Sequence, residues 1–208
     1  DIHFNYGVQY ADVKSARVIG TIGNTSETFD FTGDVLIGTD GAGSEVRNGF
    51  SQIGSTIRFN YSLQWLDHGY KELEIPAGPN ASWLIEKNAL HIWPRQSFMV
   101  IALPNLDGSF TVTLFLAFDS TPGFNQLQTD KEILDFFNDQ FPDLVALMPD
   151  LVQDFKLHPT GALGTVKCGP WNTEKSLLMG DAAHAVVPFY GQGMNCSMED
   201  VLKLDLCL

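Results

Sequence analysis

Between Thr56 and Phe118 one strand signal follows another, and this block limits the possible folds more than any other stretch of the chain. TIRFNYSLQWL, GYKELEIP, SWLIEKNALHIWP, SFMVIALP and SFTVTLFLAF all have strand composition. PNLDG, Pro104 to Gly108, reads as a hairpin connection between the last two. Met99, Ile101 and Leu103 alternate on one arm of that hairpin and Phe115 lies on the other, so a period of two predicts one shared face. Alternating apolar residues are ordinarily core. The expectation is a mostly antiparallel sheet with a face suited to covering a flat apolar ligand.

The flanks have a different texture. His3–Val8, Ala16–Thr21 and Thr28–Phe31 predict short strands, and DVLIGTDGAGSEVR predicts strand, tight turn and helix start. The continuous apolar run Val35, Leu36, Ile37 predicts a strand covered on both faces. After the sheet block, Thr129 and Glu132 form a capping box ahead of Ile133, Leu134, Phe137 and Phe141 at helical spacing. Pro142 and Pro149 then divide the segment before His158 into two or three short helices, and strands resume with GALGTVKCG and SLLMG. This order predicts an α/β domain, residues 1–55 and 161–208, interrupted by a sheet-based domain with short helices, residues 56–160. Ligands of such folds usually sit between the layers.

With 44% hydrophobic and 12% aromatic residues in 208, the chain can bury a sizeable core. A formal charge of −13 argues against nucleic acid, because it repels a phosphate backbone. Cys168, Cys196 and Cys207 lack CxxC spacing, so a disulfide framework is not expected. No apolar run reaches membrane-span length and no leader pattern opens the sequence, so membrane association of this chain is not expected. The start, DIHFNYGV, reads as a strand under way, and SMEDVLKLDLCL stops inside an amphipathic helix with Met198, Val201 and Leu202 on one face. Both ends are expected to cut through structure.

GDAAHAVVPFYGQGMN, Gly180 to Asn195, carries the chemistry. Ser176–Met179 predicts a buried strand with Asp181 projecting from its carboxyl end, where open α/β sheets bind ligands. A carboxylate there accepts hydrogen bonds from sugar-type hydroxyls. Gly191 and Gly193 allow close backbone approach, and a helix starting near Met194 aims free N–H groups at negative charge. Each signal alone is common turn punctuation; together in one segment they are more specific. His184 has no second ligand at metal spacing and reads as a packed or orienting histidine, so no metal is expected.

This segment resembles the second flavin motif of the single-component FAD-dependent aromatic-ring hydroxylases, and DVLIGTDGAGSEVR resembles their Asp-Gly motif. HFNYGV, HGYKELEIP, NALHIWPRQSFMVIALPNLDGSFTVTLF, QFPDL and PFYGQGMN, in this order, resemble the branch that acts on L-kynurenine. The resemblance implies an FAD-binding α/β domain interrupted by a substrate domain. It also implies NADPH-driven hydroxylation by O₂ at ring position 3, through a flavin C4a-hydroperoxide. Matched motif by motif, Asp181, Gly180, Pro188, Gly193, Met194 and Asn195 would hold the flavin side of FAD, and Val8 its adenosine side. Asp40 and Gly41 would serve FAD and NADPH, and Arg47, closing that motif, reads equally as a structural ion-pair residue. Met99, Ile101, Leu103, Phe115, Pro188, Phe189, Tyr190 and Gln192 would surround the substrate, with Gln192 bonding its amine or carbonyl and no residue acting as catalytic acid or base. The family's GxGxxG segment and C-terminal helices have no counterpart among these residues, so the chain is expected to be incomplete for flavin binding. A related hydroxylase of another aromatic acid and a non-catalytic fragment stay open as alternatives. The implied compartment is the cytoplasm in bacteria, or the cytosolic face of the outer mitochondrial membrane in eukaryotes.

Overall fold

The computed structural model describes residues 1–208. They form two compact units, one built from Asp1–Trp65 with Gly164–Leu208 and the other from Leu66–Leu163.

In the first unit, β1 (Tyr6–Asp12), β2 (Arg17–Ile22) and β3 (Thr28–Thr32) form an antiparallel three-stranded sheet. β1 starts later than His3–Val8 predicts, because Asn5 sits at φ 64 and turns the chain before Tyr6. β4 (Leu36–Gly38) leads to α1 (Glu45–Gln52) and the single turn α2 (Gly54–Ile57). Thr56 and Ile57, predicted as strand, are therefore helical. The turn continues from α1, Ile57 N–H bonds Ile53 O, and Arg58 at φ 56 ends it before Phe59 packs on Phe50. Short-range helix bonds outweigh the strand preference of two β-branched residues.

β4 pairs in parallel with β10 (Ser176–Leu178), Leu36 opposite Ser176 and Gly38 opposite Leu178. Val35 and Ile37 are exposed, which corrects the expectation of a strand covered on both faces; only Leu36 and Gly38 turn toward the core side. A Cβ on Gly38 would lie 2.7 Å from Val46 Cβ, and one on Gly49 would lie 2.5 Å from Ala11 O. These two glycines let α1 lie directly on β4 and β1. Ala11, Val13, Val46, Phe50, Leu178, Ala182 and Ala183 form the core beneath it. Beyond β10 follow the one-turn α6 (Asp181–His184), a 3₁₀ turn at Pro188–Tyr190, and α7 (Gly193–Cys207).

The second unit holds most of a five-stranded sheet in the order β6-β7-β8-β5-β9. Its strands are β5 (Asn60–Ile75), β6 (His91–Arg95), β7 (Phe98–Pro104), β8 (Phe110–Ala117) and β9 (Gly161–Gly169). β7 and β8 pair with Met99 opposite Phe115, Val100 opposite Leu114 and Ile101 opposite Thr113. That register puts Val100, Ala102, Val112, Leu114 and Leu116, all fully buried, on one face. The face packs on α3 (Asp130–Gln140), α4 (Pro142–Val145) and α5 (Leu151–Leu157) through Ile133, Phe136, Phe137, Phe141, Leu144 and Phe155. α3 opens with the Thr129–Glu132 capping box read from the sequence. Residues 82–90, predicted as strand, are irregular: Trp83 and Ile85 dip toward the core from a loop, and Trp83 Nε1 donates to Asn105 O at 2.9 Å. Their alternation arises from two isolated anchors, without a ladder.

Candidate functional site

A cavity of about 660 Å³ opens in the first unit beyond the carboxyl ends of β4 and β10. One wall comes from Thr39, Gly41, Met179, Gly180 and Asp181, and the other from Met194, Ser197, Met198 and Val201 on α7, with Val186, Pro188, Gly191 and Gly193 between them. This is the place where a parallel α/β layer binds ligands, since strand ends and helix starts converge there. Of the residues that the sequence assigned to a cofactor, Gly41, Gly180, Asp181, Pro188, Gly193 and Met194 are brought together here.

Local chemistry explains how each is held. Gly41 at φ 81 and Gly191 at φ 61 make turns that disfavour a side chain, and a Cβ on Gly41, Gly191 or Gly193 would meet nothing within 4 Å. The backbone is therefore laid bare to the cavity. Asp181 is exposed at the first position of α6, and its carboxylate is left to whatever enters. The polar groups are thus a bare glycine backbone and the first turn of a fifteen-residue helix as donors, and an open carboxylate as acceptor. They suit a ligand with hydroxyl groups and a planar, electron-rich edge.

The remaining assigned cofactor residues lie outside this lining. Asp40 accepts from Ser44 Oγ at 2.6 Å and Val46 N at 3.1 Å, so its carboxylate fastens the start of α1. Asn195 donates to Gln192 Oε1, and Gln192 donates in turn to Tyr190 O, so the amide expected to meet a substrate also ties the turn. Val8 stands opposite Gly20 beside a β-bulge in β1. Phe189 is partly exposed and Tyr190 nearly wholly so. In the second unit Met99, Ile101, Leu103 and Phe115 do share one face, with Leu103 exposed and Phe115 buried.

Arg47 is not an ion-pair residue. Its guanidinium, 2% exposed, donates to Ala182 O at 2.8 Å and to Ala42 O, and lies 4.9 Å over the Tyr61 ring, with Nε unpartnered. It therefore staples the Asp40–Gly43 turn to α6. Cys168 Sγ donates to Ala183 O at 3.1 Å, and burial pushes its thiol above the ordinary range, keeping it a protonated donor. Thr39, Met179, Val186, Ser197, Met198 and Val201 were missed as lining residues. Met194, Met198 and Val201 recur at helical spacing, and this pattern was the available signal.

The family description "FAD binding domain" matches residues 1–208. The chain belongs to that family. It is 55% identical over 173 residues to a protein named kynurenine 3-monooxygenase from Dictyostelium discoideum, covering 83% of this chain and 37% of that protein. With a protein of the same name from Myxococcus xanthus it shares 47% over 208 residues, 100% of this chain and 44% of the relative. The chain thus spans roughly two-fifths of the length of these relatives. Among solved structures, 2-methyl-3-hydroxypyridine-5-carboxylic acid oxygenase matches with a TM-score of 0.71 at 24% identity, covering 95% of this chain and 49% of that one. The tetracycline destructase Tet(51) matches at 0.58 and 20%, covering 94% and 50%. These structural likenesses establish the aromatic-hydroxylase type of fold. No helix is long and apolar enough to cross a membrane.

Proposed function

We propose that the protein hydroxylates L-kynurenine at ring position 3, consuming NADPH and O₂ with FAD as its cofactor. The observation that carries this reading is the identity of 43–55% to proteins named kynurenine 3-monooxygenase. The reaction balances as kynurenine, O₂, NADPH and a proton giving 3-hydroxykynurenine, NADP⁺ and water. FAD, when bound, supplies the electron transfer and oxygen activation.

The chain's residues supply position and exclusion. Asp181 would accept hydrogen bonds from the ribityl or ribose hydroxyls, and Gly41, Gly180 and Gly193 would admit the cofactor against bare backbone. The first turn of α7, with Met194 and Asn195, would hold the flavin end of FAD and Val8 its adenosine side, while Asp40, whose carboxylate is taken up by Ser44 and Val46, would serve FAD and NADPH by fixing the turn of Gly41. Pro188, Phe189, Tyr190 and Gln192 of the first unit, and Met99, Ile101, Leu103 and Phe115 of the second, are the residues assigned to the substrate, and they offer it mainly apolar groups. Such walls keep water from the reacting oxygen, and no side chain is needed as acid or base. The compartment that fits is the bacterial cytoplasm or the cytosolic side of the outer mitochondrial membrane, according to host.

The test is the full-length protein with FAD and NADPH in air. NADPH consumption should accelerate with L-kynurenine and yield one equivalent of hydroxylated product by mass spectrometry; a protein without a flavin band, or NADPH loss with no product, overturns the reading. In the same protein, Gln192→Ala and Phe115→Ala should weaken kynurenine binding more than FAD binding. Equal losses of both would contradict their assignment to the substrate.

A further inference from the structure

Two hydrogen bonds join α7 to the turn that carries Asp181, and both end on one oxygen. Asp200 Oδ2 accepts from Gly180 N–H at 2.7 Å and from His184 Nε2 at 2.6 Å. The pair is largely enclosed, with side-chain exposures of 21% for His184 and 18% for Asp200, and the Trp171 ring lies 5.1 Å from the imidazole.

Gly180 lies at φ 58, ψ −143, a conformation open in practice to glycine alone. Its carbonyl already accepts from Ala183 N–H and His184 N–H. Asp200 therefore fixes the remaining backbone group of the residue that aims Asp181. α7 itself buries none of its residues fully, and Met194, Met198, Val201, Leu202 and Leu206 are all more than half exposed. Among residues 1–208, apolar packing does little to hold this helix, although it forms one whole wall of the cavity. A carboxylate that accepts two enclosed hydrogen bonds is a strong tether in such a place.

We propose that Asp200 is a positioning residue for the cofactor: with His184 it clasps α7 to the Gly180 turn and so fixes the distance between the two walls of the cavity. The proposal rests on reading that cavity as the FAD site. Asp200 touches no cofactor and acts through Gly180, Asp181 and the start of α7.

The test is FAD titration of the full-length protein and its variants, with the absorption and visible circular dichroism of the bound flavin recorded alongside thermal unfolding of the apoprotein. Asp200→Ala should weaken FAD binding at least tenfold and alter the flavin's visible dichroism. Asp200→Asn, which keeps an oxygen for Gly180 N–H, should recover most of the affinity. A merely structural role would lower the unfolding temperature and leave the folded protein's Kd and spectrum unchanged. Wild-type binding together with Asp200→Ala binding within twofold overturns the proposal. A wild-type protein that binds no FAD overturns the cavity reading, and the proposal with it. Should Asp200→Ala not fold, His184→Ala decides on the same readouts, with threefold or greater weakening expected and an unchanged Kd and spectrum overturning the clasp.

Discussion

Arg47→Ala should destabilise the protein by about 3–5 kcal/mol, since each of two buried carbonyls left without a donor costs about 1–3 kcal/mol and the lost side chain leaves a void. The guanidinium is almost wholly buried, and it satisfies the carbonyls of Ala42 and Ala182 while covering Tyr61. Removal leaves two carbonyls without a donor and a void the size of a long side chain. Arg47→Lys should rescue little, because a single ammonium cannot reach two carbonyls approached from different nitrogens of a planar fork. Arg47→Met refills the void without the donors and should fall between wild type and alanine. Urea unfolding followed by tryptophan fluorescence checks the series. A loss below about 1 kcal/mol for alanine, the size of an ordinary neutral hydrogen bond, would mean that the staple is incidental. FAD affinity should fall with stability, since the staple joins the turn of Gly41 to the helix of Asp181.

Phe137→Ala should cost a comparable amount in the other unit, about 3–5 kcal/mol as for large aromatic truncations in close-packed cores. Phe137 is fully buried and meets Phe136 and Phe155 edge-on at 5.2 and 6.3 Å. No polar group is orphaned, so the loss comes from the apolar atoms removed and the cavity they leave. Phe137→Leu, which keeps most of the volume, should recover more than half of it on the same unfolding curves. Equal losses for alanine and leucine would show that ring geometry, not filled space, sets the cost.

Much of this architecture is legible in the sequence where local chemistry and long-range packing agree. The alternation Val100, Ala102 against Met99, Ile101 decides the faces of the β7–β8 hairpin, and Thr129 with Glu132 announces α3. Asp181 after a short strand, with Gly193 before a helix, marks the cavity. What stays hidden depends on partners far along the chain. Arg47 looks like any charged residue at the end of a motif until its carbonyl acceptor appears 135 positions later. Asp200 looks like the solvated face of a helix, because nothing nearby announces Gly180 as its donor. Thr56 and Ile57 mislead in the opposite sense: their strand preference is real, but the preceding helix captures them.

The first unit is assembled from both ends of the chain, and this has a kinetic consequence. Ser176 Oγ bonds Val13 O across 163 positions, and β4 meets β10 over a similar span, whereas β7 and β8 close through a five-residue connection. Joining distant segments costs chain entropy before any contact compensates for it. The hairpin and its helices can therefore organise while the parallel pair is still open, and the cavity is the last part of the molecule to acquire its shape. Pulsed hydrogen exchange during refolding should show protection at Thr111 and Thr113, which face β7, before Met179, whose N–H bonds Gly38 O of β4, and the reverse order would reject this sequence of events. A chain that folds in this way leaves its apolar β4 edge exposed until β10 docks, so its solubility during synthesis depends on how quickly that strand follows.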